Sequence, residues 1–173
     1  MKAHAIIFFS LLLLSNCATK KTETTSSADS LQVDSMMTLT PPPALLASSP
    51  LDGFSLDNKL TFTDSVNYFL FSSQEELNQK FGKKKGAFAP DFLINYVVAI
   101  ACKPTTSLTT IVMDKVQTGP ECIDVYLTIL RGEKQKFVTK PAQVFAIEKR
   151  DGVETMHFYV NGKLDKDIAL AIN

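Results

Sequence analysis

Cysteine and histidine, the residue types that supply thiol nucleophiles, imidazole bases and most zinc ligands, are few in this sequence. The cysteines are Cys17, Cys102 and Cys122, and the histidines are His4 and His157. A thiol or hydroxyl nucleophile needs an adjacent general base, which is most often an imidazole. His157 lies within a predicted strand, where a histidine is usually only a half-exposed side chain. The sequence therefore does not favour a hydrolase.

Other patterns typical of catalysis or cofactor binding are missing. No His and Cys residues have zinc-ligand spacing, and no EF-type calcium loop occurs. The few glycines stand at predicted turns and not in a phosphate loop. The formal charge is zero, without the basic stripe of nucleic-acid binders. We expect no enzymatic activity, no metal, no cofactor, no nucleic-acid partner and no small-molecule substrate. A glycosidase-type pair of carboxylates stays open, because such pairs meet only in the folded chain.

Residues 1–16 have the features of a secretory signal. Lys2 supplies positive charge, and residues 5–14 are apolar except for Ser10. This run is shorter than the roughly 20 residues that span a bilayer. A signal peptide that is cut from the mature chain is therefore the prediction, and an N-terminal transmembrane anchor is the alternative.

The end of this segment, Leu14-Ser15-Asn16-Cys17, resembles a bacterial lipobox, in which a signal peptidase cuts before a cysteine that carries diacylglyceryl. Asn16 departs from the usual Gly, Ala or Ser. The resemblance implies that Cys17 is lipidated and that the protein contacts the membrane through this N-terminal lipid. The alternative is an ordinary secretory signal with Cys17 as a bystander. No acidic run follows the cysteine, which favours the periplasmic face of the bacterial outer membrane.

Residues 17–50 are predicted to be the lipidated cysteine and a flexible linker. Thr, Ser, Lys and Asp dominate, three prolines occupy positions 41–43, and no helical or strand period persists. Such a segment buries too little apolar surface to offset its ordering entropy. The globular domain is then expected to begin at Leu51 and to cover residues 51–173.

The pattern of this domain is mainly that of β-strands. Residues 96–102 are apolar throughout and rich in β-branched types, which predicts a central strand buried on both faces. Residues 122–130 alternate between apolar and polar, which predicts a strand with one buried face, ended by Arg131-Gly132. Further strands are predicted within residues 59–71, 107–116, 142–148, 155–160 and 163–172.

Local signals place one helix and two hairpins. Ser73 with Glu76 forms a capping-box pattern, and Gly82 is predicted to end the short helix that follows. Asp151-Gly152 and Asn161-Gly162 predict hairpin turns, so the C-terminal third reads as a β meander. We therefore expect a mainly β fold, an antiparallel sandwich or open barrel with one short helix.

The two cysteines of the domain are predicted to be buried free thiols. Cys102 ends one strand, and Cys122 begins the next strand but one. In a simple meander the intervening strand of about ten residues would hold them on the order of 30 Å apart. A disulfide needs Cα atoms within about 7 Å.

Residues 66–149 resemble the C-terminal domain of PrcB-type lipoproteins, accessory subunits that bind and stabilise an exported protease complex. The similarity lies in the order and spacing of four segments, residues 68–77, 90–100, 104–107 and 141–144. It implies a non-catalytic cell-envelope domain that acts through a protein partner.

A second resemblance concerns one turn. Residues 103–108, Lys-Pro-Thr-Thr-Ser-Leu, are similar to the Asn-Pro-Thr-Thr-Gly-Tyr loop of chagasin-type cysteine-protease inhibitors, which are also β sandwiches. Lys140-Pro141 is faintly similar to a second loop of these inhibitors. The resemblance implies protease inhibition as the alternative function. On either reading the candidate partner-binding loop consists of Lys103, Pro104, Thr105, Thr106 and Ser107. For an interaction domain the edge of the sheet is the alternative contact surface.

Overall fold

The computed structural model describes residues 42–57 and 60–170, and they form a mainly β domain as the sequence predicts. Its elements are β1 (Ser48–Leu51), β2 (Phe54–Leu56), β3 (Val66–Phe71), α1 (Gln74–Lys80), β4 (Phe81–Lys83), β5 (Asn95–Cys102), β6 (Thr105–Thr118), β7 (Cys122–Thr139), β8 (Ala142–Glu148), β9 (Thr155–Val160) and β10 (Lys163–Ala169).

Most strands belong to two four-stranded sheets. Sheet I has the order β1-β8-β5-β3 and is antiparallel throughout. Sheet II has the order β10-β9-β7-β6, and its β7–β9 pair is parallel. Neither sheet closes into a barrel, and the arrangement is consistent with the predicted β sandwich. A shared core joins Val98 and Phe145 of sheet I to Val125 and Phe158 of sheet II.

Strand β5 lies between β8 and β3 and is buried on both faces, as its unbroken apolar sequence predicts. Val98 and Ile100 point into the core between the two sheets. Val97 and Ala99 point the other way, into a second core that contains Leu77 of α1. The single helix of the described residues therefore covers the outer face of sheet I.

The helix begins as predicted and ends one residue early. Ser73 is its N-cap, and the Ser73 hydroxyl accepts a hydrogen bond from the Glu76 N–H at 3.2 Å. The Glu76 carboxylate accepts from the Ser72 N–H at 2.9 Å, one residue before the cap. Phe81, and not Gly82, is the C-cap, because Phe81 turns into β4 and pairs with Leu56 of β2.

The predicted C-terminal meander is wrong in its first half. Gly152 does lie in a turn, with φ of 73°, but this turn joins β8 of sheet I to β9 of sheet II. Because β8 already pairs with β1 and β5, β9 pairs instead with β7 and β10. The β9–β10 hairpin is confirmed, and its Asn161-Gly162 turn has φ of 50° and 79°.

Two predicted boundaries are also wrong. Residues 45–50 belong to the domain and not to the linker, because Leu46 is buried, its N–H donates to the Val116 carbonyl, and β1 pairs with β8. The strand predicted to stop at Arg131-Gly132 runs on to Thr139. Gly132 stays in β7, and a Cβ added there would lie 3.5 Å from the Leu108 carbonyl oxygen of β6, an ordinary van der Waals distance.

Candidate functional site

The candidate partner-binding residues lie where the chain crosses from one sheet to the other. Lys103 and Pro104 connect β5 of sheet I to β6 of sheet II. The prediction of a loop is wrong for Thr105 and Thr106, which begin β6, whereas Ser107 lies in β6 as the strand predicted over residues 107–116 has it. Thr105 and Ser107 pair with Thr139 and Lys134 of β7.

A second crossing lies beside the first. Lys140 and Pro141 return the chain from β7 to β8. The Cys102 N–H donates to the Pro141 carbonyl at 2.8 Å, and the Thr139 hydroxyl donates to the Thr105 carbonyl at 3.2 Å. The two Lys-Pro segments that the inhibitor resemblance singled out are therefore neighbours in the fold.

From this corner, β6 and β7 form a two-stranded arm, defined here as residues 105–110 and 130–139. Strand β9 pairs with β7 only from Cys122 to Leu127. It then turns at Asn161, whose side-chain oxygen accepts from the Ile129 N–H at 3.1 Å. Beyond that point β7 has β6 as its only strand partner among the described residues. In the arm, β6 and β7 pair with each other, and no third strand of sheet II pairs with the outer edge of either one.

The arm is irregular on its β7 side. Thr105 pairs with Thr139 and Ser107 pairs with Lys134, so an advance of two residues along β6 is matched by five residues along β7. The surplus residues cannot all keep ladder partners, so this part of β7 bulges away from β6. Phe137 and Val138 belong to this bulge and are mostly exposed.

Four large apolar side chains of the arm are more than half exposed, and we name them the arm patch: Leu108, Leu130, Phe137 and Val138. Leu108 and Leu130 share a face, because Thr110 is the register partner of Leu130 and strand side chains alternate. A single exposed apolar residue is ordinary, whereas several on one small element indicate an interaction surface.

Both domain cysteines are free thiols, as predicted. Cys102 is buried, but the prediction of burial is wrong for Cys122, which is only half-buried at the start of β7. Cys102 borders a cleft of about 250 Å³ beneath the corner, together with Lys103, Pro104 and Arg131. Burial raises the pKa of the Cys102 thiol, and the Arg131 charge opposes the rise only in part. A thiol held in its protonated form is a poor nucleophile.

Sequence reasoning missed a second cluster, formed by Cys122, Asp124 and His157. Asp124 of β7 and His157 of the parallel strand β9 are register partners, and Cys122 lies two residues before Asp124 on the same face. The His157 Nδ1 lies 3.0 Å from the Asp124 Oδ1, and the Cys122 Sγ lies 4.0 Å from the same oxygen. All three side chains are half-buried on the face of sheet II that points away from the core.

The order of these contacts is wrong for a cysteine nucleophile. In a catalytic thiol–imidazole pair the imidazole contacts the sulfur and a third group orients the imidazole. Here the carboxylate of Asp124 stands between the other two groups. Burial raises the pKa of the Cys122 thiol, and the charge of Asp124 adds to that rise. The cluster therefore offers metal ligands, or a cross-strand hydrogen bond, and not an activated thiolate.

The sequence does indicate two of the three members of this cluster. Cys122 and Asp124 are spaced two apart in a strand whose alternation is plain, so they must share its polar face. What the sequence does not contain is the partner strand. A parallel β7–β9 pair brings His157 across from Asp124, whereas the predicted meander would have placed it elsewhere.

A further polar contact ties the open edges of the two sheets together. The Tyr68 hydroxyl of β3 donates to the Asp165 carboxylate of β10 at 2.6 Å, beside a cleft of about 490 Å³. Asp165 lies at a register irregularity of β10, between Leu164 and Lys166. Burial raises the pKa of Tyr68, and the hydrogen bond to Asp165 raises it further.

We expect Tyr68→Phe to lower the free energy of unfolding near neutral pH by about 1.5 kcal/mol, the low end for a hydrogen bond to a charged group, because Asp165 is exposed. Since the pKa of Tyr68 is higher in the folded protein, the wild type should lose stability as the pH rises above about 10. The substitution should reduce that loss. Urea unfolding at about pH 8 and about pH 11 measures both effects. An unchanged alkaline loss in Tyr68→Phe would contradict this account.

Comparisons with protein-family profiles, with curated proteins and with solved structures found no match. Within residues 42–57 and 60–170 no helix has the length and apolar content that a membrane span requires. Residues 1–16 and Cys17, on which the signal and lipidation predictions depend, lie outside the described residues.

Proposed function

We propose that this chain is a lipid-anchored protein of the bacterial cell envelope, whose β domain binds a protein partner and has no catalytic role. The observation that carries the proposal is the arm patch, because its four large apolar side chains are each more than half exposed in the described part of the chain. Large apolar and aromatic side chains dominate the binding energy of most protein interfaces.

The anchor is proposed from the N-terminal sequence. The apolar run of residues 5–14 and the lipobox-like Leu14-Ser15-Asn16-Cys17 support export followed by lipidation of Cys17. The absence of an acidic run after Cys17 favours the periplasmic face of the outer membrane. A protein held there meets partners that are confined to the same narrow compartment.

Charge around the arm patch indicates the chemistry of the partner. Lys103, Arg131, Lys134 and Lys136 are exposed on or beside the arm, whereas Glu133 is the acidic residue among positions 130–139. An apolar centre with a basic rim matches an apolar groove bordered by carboxylates. Because exposed charges are screened by salt, binding to such a surface should weaken as the ionic strength rises.

The resemblance to PrcB-type accessory lipoproteins points to the kind of partner. Such subunits bind and stabilise an exported protease complex. We propose the same role here, with an exported protease or another envelope complex as the partner. The segments that carry the resemblance include β5, the corner at Pro104 and the start of β8.

A capture experiment tests the proposed surface. Full chain in detergent is expected to retain an envelope protein. The arm variant, which combines Leu108→Asp and Leu130→Asp, should reduce this retention at least about tenfold, because an unpaired carboxylate buried in the interface costs several kcal/mol. Leu164→Asp is the matched control, since Leu164 is 54% exposed, Leu108 is 55% exposed, and Leu164 lies on the opposite edge of sheet II. Quantitative mass spectrometry of the eluates provides the comparison.

Equal retention by the arm variant and by Leu164→Asp would contradict the proposed surface. Capture of nothing above the level of beads alone would contradict the interaction role itself. The unfolding midpoint of each variant is measured in parallel, so that a loss of folding is not read as a loss of binding.

Cysteine-protease inhibition is the second proposal, and it has less support. The neighbouring Lys-Pro segments are the observation in its favour. Against it, Thr105 and Ser107 are strand residues that pair with β7, whereas an inhibitory loop must be free to enter an active site. Inhibition of papain by the full chain, lost on Pro104→Ala, is the result that would favour it.

A further inference from the structure

We propose that Cys122, Asp124 and His157 form a binding site for a divalent transition-metal ion of the zinc class. One ligand atom from each residue lies within 4.8 Å of the other two. Around tetrahedral zinc, sulfur, nitrogen and oxygen ligands lie roughly 3.3–3.6 Å apart. The measured separations of 3.0 Å and 4.0 Å from the Asp124 Oδ1 lie within 1 Å of that range, which small side-chain rotations can close.

The backbone holds these ligands in place before any ion arrives. Asp124 and His157 are paired in register across β7 and β9, with hydrogen-bonded neighbours on both sides. The turn before Cys122 is tight, because the Gly119 N–H donates to the Cys122 carbonyl at 2.8 Å. The Glu121 carbonyl accepts from the Glu154 N–H at 2.9 Å, which fixes this turn against the start of β9.

Because Gly119 has no side chain, there is space beside it for the Cys122 sulfur. A Cβ added at Gly119 would lie 2.5 Å from the Cys122 Sγ, a distance that real Cβ atoms do not show. The φ of Gly119 is not in the left-handed region, so the glycine is not required by the backbone. Its missing side chain instead allows the thiol to point toward Asp124.

A further carboxylate lies beside the cluster. Asp167 of β10 is the register partner of His157, so both side chains project from the same face of sheet II. Cβ atoms of such partners are about 4.5–5.5 Å apart. Metal-binding imidazoles usually donate their second N–H to a carboxylate, which fixes the ring orientation. Asp167 is placed to do this for His157, as a positioning residue.

The donor set selects the class of ion. A thiolate, an imidazole and a carboxylate together suit zinc and its neighbours, whereas calcium and magnesium prefer oxygen ligands alone. The three residues are half-buried and lie on a sheet face directed to solvent. Three protein ligands with an open fourth position, filled by water, is the arrangement expected there.

Cobalt titration of the full chain carrying Cys17→Ser tests the site, because Cys102 and Cys122 are then its only thiols. We expect one cobalt ion per chain, with the charge-transfer absorption of a cobalt–thiolate bond, and displacement by zinc. Cys122→Ser should abolish the absorption, and His157→Gln should weaken binding at least about tenfold. Gly119→Ala and Asp167→Asn should weaken it by about tenfold to a hundredfold.

Cys102→Ala is the matched control and should bind cobalt as the parent does, because Cys102 lies in the core and not in the cluster. Absorption that survives Cys122→Ser, or that never forms, would overturn the proposal. Urea unfolding of each variant without metal checks that the domain is folded. None of these readouts involves the arm patch, so their failure leaves the proposed partner surface unaffected.

Discussion

Replacing Phe158 with alanine is expected to lower the free energy of unfolding by about 3–5 kcal/mol. Phe158 is 1% exposed and lies in the core that the two sheets share. Its ring centroid is 4.7 Å from that of Tyr68, which belongs to the opposite sheet. Removing the ring therefore leaves a cavity at the place where the sheets contact each other.

Tyr159→Phe is the matched control for Phe158→Ala, because Tyr159 is the next residue and points to the outer face of sheet II. There its ring stacks on Tyr126 with centroids 4.7 Å apart, and the substitution keeps that ring. We expect its effect to be within about 0.5 kcal/mol, as for surface positions generally. Urea unfolding measures both variants. A cost below about 1.5 kcal/mol for Phe158→Ala would contradict the placement of this ring between the sheets.

The second large effect is expected at the anchor. Wild-type chain should incorporate radiolabelled palmitate, whereas Cys17→Ser chain should incorporate none, because serine lacks the thiol that the diacylglyceryl transfer requires. Since the lipobox peptidase cuts before a lipidated cysteine, the variant should also keep residues 1–16 and migrate as the larger precursor. Each buried CH₂ of an acyl chain adds about 0.8 kcal/mol to membrane binding, so several chains hold the mature protein tightly.

Cys102→Ala is the control for this labelling, because it removes a thiol without touching the N-terminus. It should incorporate palmitate and be processed as the wild type is. Equal labelling of Cys17→Ser and Cys102→Ala would contradict lipidation of Cys17, and wild-type chain that keeps residues 1–16 without label would favour the uncleaved transmembrane segment.

Features of the fold that depend on neighbouring residues could be predicted from the sequence. Ser73 caps α1 because its hydroxyl reaches the Glu76 N–H within one turn. Asn161-Gly162 makes the β9–β10 turn because both residues tolerate φ above zero. The unbroken apolar run of β5 predicts a strand buried on both faces, which the two cores confirm.

Features that depend on which strands pair could not be predicted in this way. Asp151-Gly152 has the composition of a hairpin turn, and the sequence does not contain the fact that β8 is already paired on both sides. The length of β7 also depends on strand pairing and could not be predicted. Its polar second half forms a strand because β6 lies beside it, although Arg131-Gly132 has the composition of a strand end.

The candidate functional residues likewise include some that the sequence indicates and others that depend on which strands pair. The corner at Lys103 and Pro104 was singled out from the sequence by the two family resemblances. The arm patch was not, because exposure of Phe137 and Val138 follows from a bulge that only the β6 register reveals. The Cys122 cluster was missed because His157 reaches it across a parallel strand pair.

The mass of the N-terminal peptide of the mature protein, purified from its own membranes, tests the central claim of a lipid-anchored β domain most directly. We expect a peptide that begins at Cys17 and carries the added mass of diacylglyceryl and of an amide-linked acyl chain. A peptide that begins at Met1, or one that begins at or after Cys17 without added lipid mass, would contradict it.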